Sequence, residues 1–240
     1  MGLTKSAGAF AQTDHMQWTI IIPVKPAATA KSRLGLGADF ARAIALDTVA
    51  AAVACRSVGR VLVVTSDPAF RPPAAELVEE EAPAGIDSAV RTAAALAPDG
   101  PRAVLLGDLP SLRPEDLADA LTAAAQLASS HPRAFVADRE SSGTTLVTAA
   151  AGVPLLTAFG PGSAAAHRAL GLVALALPVE STVTADVDTV EQLEVARALG
   201  LGAATRAALA EGPASARGAQ PTLPDGTRRV SRQSSSRASC

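Results

Sequence analysis

Short apolar runs alternate with stretches of helical period along most of the chain, and this alternation restricts the fold more than any other feature. The runs are Trp18-Thr19-Ile20-Ile21-Ile22-Pro23-Val24, then 60–65, 102–107, 133–137, 144–149 and 172–177. Helical spacing predicts helices over 38–56, 87–97, 114–129, 163–170 and 189–199. Pro114 with Glu115 and Asp116 suits a first helical turn, where the helix dipole favours acids. Thr189 followed by Gln192 has the spacing of a capping box. Strands alternating with helices predict βαβ units and a mostly parallel central sheet, an α/β chain in three layers. Composition agrees: with five Phe, one Trp and no Tyr in 240 residues, the core must come from Ala, Val, Leu and Ile, the residues of buried parallel strands.

The ends behave differently. Residues 1–16 are polar and aperiodic, and from about Glu211 the chain is Gly, Pro, Ser and Arg without an apolar period. Such segments cannot bury enough surface to fold alone. The expected organisation is a disordered leader over 1–16, one folded domain over 17–210 and a disordered basic tail over 211–240. That tail carries Arg217, Arg228, Arg229, Arg232 and Arg237 against Asp225 and reads as a solvated segment. A net charge of −2 leaves no general basic footprint, and scarce aromatics leave few stacking platforms, so no nucleic-acid partner is expected. No apolar run reaches the ~20 residues that cross a bilayer. Cys55 and Cys240 have no disulfide or zinc spacing, and a reduced, cytoplasmic protein without a membrane partner is the expectation.

Sheets of this kind bind ligands outside the carboxyl ends of their strands, and there each predicted strand meets a polar or glycine-bearing turn. The first runs into Lys25, Lys31 and Arg33; with Lys5, those two lysines are all the chain has. Such a loop is either a triphosphate cradle or an ordinary solvated loop. The third ends in Gly107-Asp108-Leu109-Pro110-Ser111-Leu112, where Asp108 would hold a hard cation or form a turn. In Asp186-Val187-Asp188 an extended backbone puts both carboxylates on one side, where they repel unless a cation such as magnesium lies between them. Asp188 could instead merely cap the next helix. Asp138 to Thr145 and Phe159-Gly160-Pro161-Gly162-Ser163 are two further glycine-bearing turns, the second opening a helix whose amides can face an anion. His167 lies one turn into that helix, where it could reach a ligand, although a partly exposed helical histidine is the commoner case. No Ser-His-Asp order, Cys nucleophile or GxGxxG is present.

Taken together, Ile22-Pro23-Val24-Lys25…Ala30-Lys31-Ser32-Arg33-Leu34, Gly107 to Leu112, Gly143-Thr144-Thr145, Phe159 to Ser163 and Asp186 to Thr189 resemble the phosphoenolpyruvate / 2-phospho-L-lactate guanylyltransferase family of coenzyme F-420 biosynthesis, in the same order from about Ile20 to Leu201. The resemblance implies a nucleotide-diphospho-sugar-transferase fold and transfer of GMP from GTP to phosphoenolpyruvate or 2-phospholactate. It also implies magnesium, or manganese in its place, and a downstream transferase of F-420 biosynthesis as partner. It assigns Asp108, Asp186 and Asp188 to the metal, Thr144, Gly160 and Ser163 to the phosphorylated acceptor, and Lys25, Lys31 and Arg33 to the triphosphate. The Lys-poor, Ala- and Arg-rich composition resembles the phosphoenolpyruvate-using members. Ser141-Ser142 departs from the usual Gly-Thr before Gly143, and Asp87 stands where related enzymes tend to carry Asn. A molybdenum-cofactor or sugar-phosphate nucleotidylyltransferase on the same fold is the rival enzyme, though Pro23-Val24-Lys25-Pro26 lacks the Gly-Gly loop of those families. A non-catalytic nucleotide-binding protein is the rival outside enzymes.

Overall fold

The chain was studied as a computed structural model, which describes residues 17–26, 37–80, 84–97 and 99–211. Lys31 and Arg33 lie outside the described residues, as do 1–16 and 212–240. Seven strands form one sheet: β1 (Trp18–Pro23), β2 (Val58–Thr65), β3 (Glu76–Glu79), β4 (Arg102–Leu105), β5 (Arg133–Ala137), β6 (Thr144–Ala149) and β7 (Val173–Ala174), in the order β3-β2-β1-β4-β6-β5-β7. All neighbours pair in parallel except β6, which is antiparallel to both β4 and β5. Among the described residues the α-helices are α1 (Gly37–Ala54), α2 (Ile86–Ala94), α3 (Pro114–Leu127), α4 (Ser163–Ala169), α5 (Val190–Leu199) and α6 (Ala203–Glu211).

The central strand β1 is buried along its whole length, and its alternate residues feed two cores. Ile20 and Ile22 pack on one face with Val49, Leu117 and Leu121, while Ile21 packs on the other with Val90, Val104 and Phe135. A strand buried on both faces reads as a continuous apolar run, which is why this one is so plain in the sequence. Among the described residues no helix is long and apolar enough to cross a membrane.

Two elements were not anticipated. Strand β3 is an edge strand with only Val78 buried, too short to show a period. Helix α6 follows Gly202, which has no side chain to cap it. Its first amides, at Ala204 and Thr205, donate to the carboxylate of Asp47 in α1 at 2.9 and 2.7 Å, across more than 150 residues of chain. The strand expected over 172–177 shortens to the two residues of β7.

Candidate active site

The carboxyl ends of β1, β4 and β5 and the amino end of antiparallel β6 meet along one edge of the sheet. Asp108 follows β4, where the chain turns sharply past β1. A Cβ on Gly107 would lie 3.2 Å from Val24 Cγ2 and 3.4 Å from the Pro23 carbonyl, so the Asp108 turn and the exit of β1 are packed on each other. The Leu109 amide donates to Thr48 Oγ1 of α1 at 3.0 Å, fixing the turn from behind. The Val187 amide donates to the Asp108 carbonyl at 3.0 Å, which brings in the second acidic string. Val187 is fully buried beside Phe40, Ile44 and Leu193, so the residues on either side of it face the other way.

One carboxylate oxygen from each of Asp108, Asp186 and Asp188 falls within 4.8 Å of the others. Asp138 and Glu140, just past β5, form a similar group with Asp186. Asp186 is the shared member. Its Oδ1 is buried and accepts no hydrogen bond. Burial first, then repulsion from Asp108, Asp138, Asp188 and Glu140, pushes its carboxyl up to about 8. A carboxylate so placed needs a proton or a cation, and an all-oxygen donor set of this kind suits a hard divalent ion.

The strings that carry these acids are tied to one another. A single 3-10 turn, Thr182–Thr184, precedes Asp186. Its Thr182 amide and hydroxyl donate to Asp116 of α3 at 2.9 and 2.6 Å. The capping box at the start of α5 is present: Gln192 N donates to Thr189 Oγ1, and Gln192 Oε1 accepts from the Thr189 amide. The same oxygen accepts from the Asp188 amide at 2.7 Å, while Gln192 Nε2 donates to Glu140 Oε1 at 3.0 Å. An open cleft runs along this region, lined by Arg139, Glu140, Asp186, Glu191, Gln192 and Val195 among others.

The turn between β5 and β6 is built around Asp138, whose carboxylate accepts from the amides of Ser142 and Gly143 at 2.9 and 2.7 Å. A Cβ on Gly143 would collide with that carboxylate, so any larger residue would push the Asp138 side chain off the amides it holds. Ser141 has φ 60, a left-handed conformation that glycine adopts more readily, which accounts for the Gly expected in that stretch. Past this turn Thr144, buried, opens β6, and the Ala164 amide of α4 donates to the Ser142 carbonyl at 3.2 Å. Ser163 is buried at the start of α4, and Gly160, with φ +146, is exposed in the approach to it. His167 is not partly exposed but fully buried, because its ring fills the space between Phe135 and Phe159. Its Nδ1 lies 3.0 Å from Thr144 Oγ1, and its Nε2 accepts from the Ala158 amide at 3.0 Å. Asp87, at the start of α2, accepts from the Phe159 amide at 3.2 Å.

Thus the structure brings Asp108, Asp186 and Asp188 together, ties Thr144 at the start of β6 through His167 to α4, which begins at Ser163 just after Gly160, and leaves Lys25 exposed just beyond β1. Asp138 and Glu140 escaped the sequence reading, although Asp138 follows its strand much as Asp108 follows β4.

The chain is 47% identical over 209 residues to a phosphoenolpyruvate guanylyltransferase of Streptomyces avermitilis, covering 81% of this chain and 95% of that one. It is 43% identical over 228 residues to the same enzyme of Thermomonospora curvata, covering 87% and 97%. It belongs to the phosphoenolpyruvate guanylyltransferase family. No model of a known family matches the chain. A Desulfovibrio desulfuricans structure, provisionally described as a nucleotide-diphospho-sugar transferase, superposes with a TM-score of 0.56 at 20% identity, covering 81% of this chain and 94% of that one. That likeness shows the nucleotide-diphospho-sugar-transferase fold, and family and fold together make the chain a nucleotidyltransferase.

Proposed function

We propose that the chain transfers GMP from GTP to phosphoenolpyruvate, giving enolpyruvyl-diphospho-guanosine and pyrophosphate, as a step of coenzyme F-420 biosynthesis whose product passes to a downstream transferase. The observation that carries this reading is the meeting of Asp108, Asp186 and Asp188 at the carboxyl edge of the sheet in a chain of this family.

An acceptor phosphate is largely dianionic at neutral pH, its second pKa being ~6, so its oxygen attacks the α-phosphorus of GTP without a general base. The bond from that phosphorus to the β,γ-diphosphate breaks, and pyrophosphate leaves with the bonding pair. The obstacle is the meeting of two polyanions. Asp108, Asp186 and Asp188 would hold a divalent cation, magnesium or manganese, which when bound supplies positive charge at the reacting phosphates. The crowding that pushes the Asp186 carboxyl up to about 8 would be relieved by such a cation. Lys25, with Lys31 and Arg33 beyond it, supplies charge to the triphosphate. Thr144, Gly160 and Ser163 bind the phosphate and carboxylate of the acceptor, in a segment whose backbone is held by Asp138, Ser142 and His167.

The test is pyrophosphate release from GTP with phosphoenolpyruvate, 2-phospholactate and 3-phosphoglycerate offered side by side, with and without magnesium. Phosphoenolpyruvate is expected to be the best acceptor. Separation from 2-phospholactate rests on shape at one carbon, worth only ~1–3 kcal/mol. No release with any of the three would sink the proposal, and a clear excess of lactyl product would move it to the other acceptor.

A further inference from the structure

We propose that His167 is a positioning residue for the acceptor: held as the neutral Nδ1–H tautomer by the Ala158 amide, it donates to Thr144 Oγ1 and leaves the hydroxyl hydrogen of Thr144 for the anionic acceptor. This rests on the reading above, in which Thr144, Gly160 and Ser163 bind the acceptor.

The tautomer follows from one hydrogen bond. An amide N–H can only be accepted by a bare ring nitrogen, and Ala158 N lies 3.0 Å from His167 Nε2. A neutral imidazole with a bare Nε2 carries its proton on Nδ1. Nδ1 is 3.0 Å from Thr144 Oγ1, so the ring donates and the hydroxyl accepts. A threonine hydroxyl has one hydrogen, and here it is not needed by the histidine. With the tautomer reversed, that hydrogen would be directed into the ring and lost to any ligand.

The surroundings hold the ring neutral. Burial pushes its pKa below the ordinary histidine value, while Asp87 and the Ser163 carbonyl act weakly the other way. Arg168, on the same helix, stacks over the Phe135 ring at 5.3 Å. Protonation would turn Nε2 into a donor facing the Ala158 donor, so the imidazolium is incompatible with this arrangement. The ring also sets the three acceptor residues relative to each other. It touches Thr144 on β6, holds the segment that runs from Ala158 into Gly160, and projects from the helix that begins at Ser163.

Steady-state kinetics on the full chain, with GTP and phosphoenolpyruvate varied in turn, would test this with Thr144→Val, His167→Gln and the double variant. With its Oε1 in the place of Nε2, glutamine keeps an acceptor for Ala158 but has no donor at the Nδ1 position that faces Thr144. Each single variant is expected to raise the acceptor KM about tenfold, as for a lost bond to a charged group, with the GTP KM moving less than about twofold. The double variant should be no worse than the poorer single one, because both remove the same contact. An unchanged acceptor KM in Thr144→Val would sink the acceptor reading itself. A raised KM in Thr144→Val with a normal one in His167→Gln would leave that reading standing and overturn the role given to His167. Additive losses that raise both KM values equally would show simple packing and overturn it too. Nitrogen-15 NMR of the unaltered protein decides independently of whether the variants fold: Nδ1 is expected protonated and Nε2 bare at neutral pH, and the reverse pattern would overturn the proposal.

Discussion

Two polar groups share one edge of the sheet and are satisfied in opposite ways. Around His167 each ring nitrogen has its partner inside the protein, from Thr144 on one side to Ala158 on the other. Around Asp186 the carboxylates of Asp108, Asp138, Asp188 and Glu140 crowd a buried oxygen that accepts no hydrogen bond. A region of the first kind adds to stability, and changing it costs fold and function alike. A region of the second kind opposes folding until something from outside neutralises it, so changing it separates the two. Buried like charges mark function more reliably than a satisfied network does.

The largest effect that would break this contrast is on turnover. Asp108→Asn is expected to lower pyrophosphate release on the order of a hundredfold or more, because one charge is taken from the cation's donor set, while circular dichroism stays unchanged. Near-normal turnover in saturating magnesium would remove Asp108 from the site.

Next comes the close approach at Gly143. Gly143→Ala forces a methyl group onto the Asp138 carboxylate that holds the β5–β6 turn. It is expected to destabilise the chain by about 1–3 kcal/mol, as overpacking does, and to raise the acceptor KM as well. Urea unfolding and substrate titration would show both effects; a stability loss with an unaltered acceptor KM would uncouple this turn from acceptor binding.

Asp186 gives the sharpest test of the contrast, through pH. Its folded carboxyl lies near 8 against an ordinary 3.8. Between those values the folded protein binds the proton and the unfolded chain does not. The metal-free protein should therefore lose stability as pH rises through that window and level off above it. Magnesium should remove the slope, and Asp186→Asn should remove it too, raising the metal-free melting temperature on the order of a few degrees while abolishing turnover. A melting temperature that falls in Asp186→Asn would mean the carboxylate is a structural partner and the contrast is false.

What could be read in advance follows the range of the interactions. Strand β1 was plain because both of its faces are buried, and the capping box of α5 because Thr189 and Gln192 are three residues apart. Asp108 stood out because it follows an apolar run, and Asp186 and Asp188 because they alternate about Val187 just before a helical stretch. Helix α6 was illegible because its cap is Asp47 on α1. His167 was misjudged because its partners, Thr144 and Ala158, reach it through the antiparallel strand and a loop, and no local spacing announces such a contact. Residues that act on their neighbours in sequence leave a pattern there, and residues that act across the fold do not.

The smallest expected effect is at Thr189, where the two kinds of region meet. Its hydroxyl accepts from the Gln192 amide at 3.3 Å, closing one half of the cap. The other half lies in the Gln192 side chain, whose oxygen accepts from the Asp188 and Thr189 amides and whose nitrogen donates to Glu140. Thr189→Ala removes only the first half and should cost about 1 kcal/mol, as cap removal does, read as a lower urea midpoint at unchanged slope. The Asp188 backbone keeps its bond to Gln192, so the magnesium concentration for half-maximal turnover should move little. If that concentration rose tenfold in Thr189→Ala, the cap would be setting the geometry of the acids, and the satisfied and unsatisfied regions would be parts of one network.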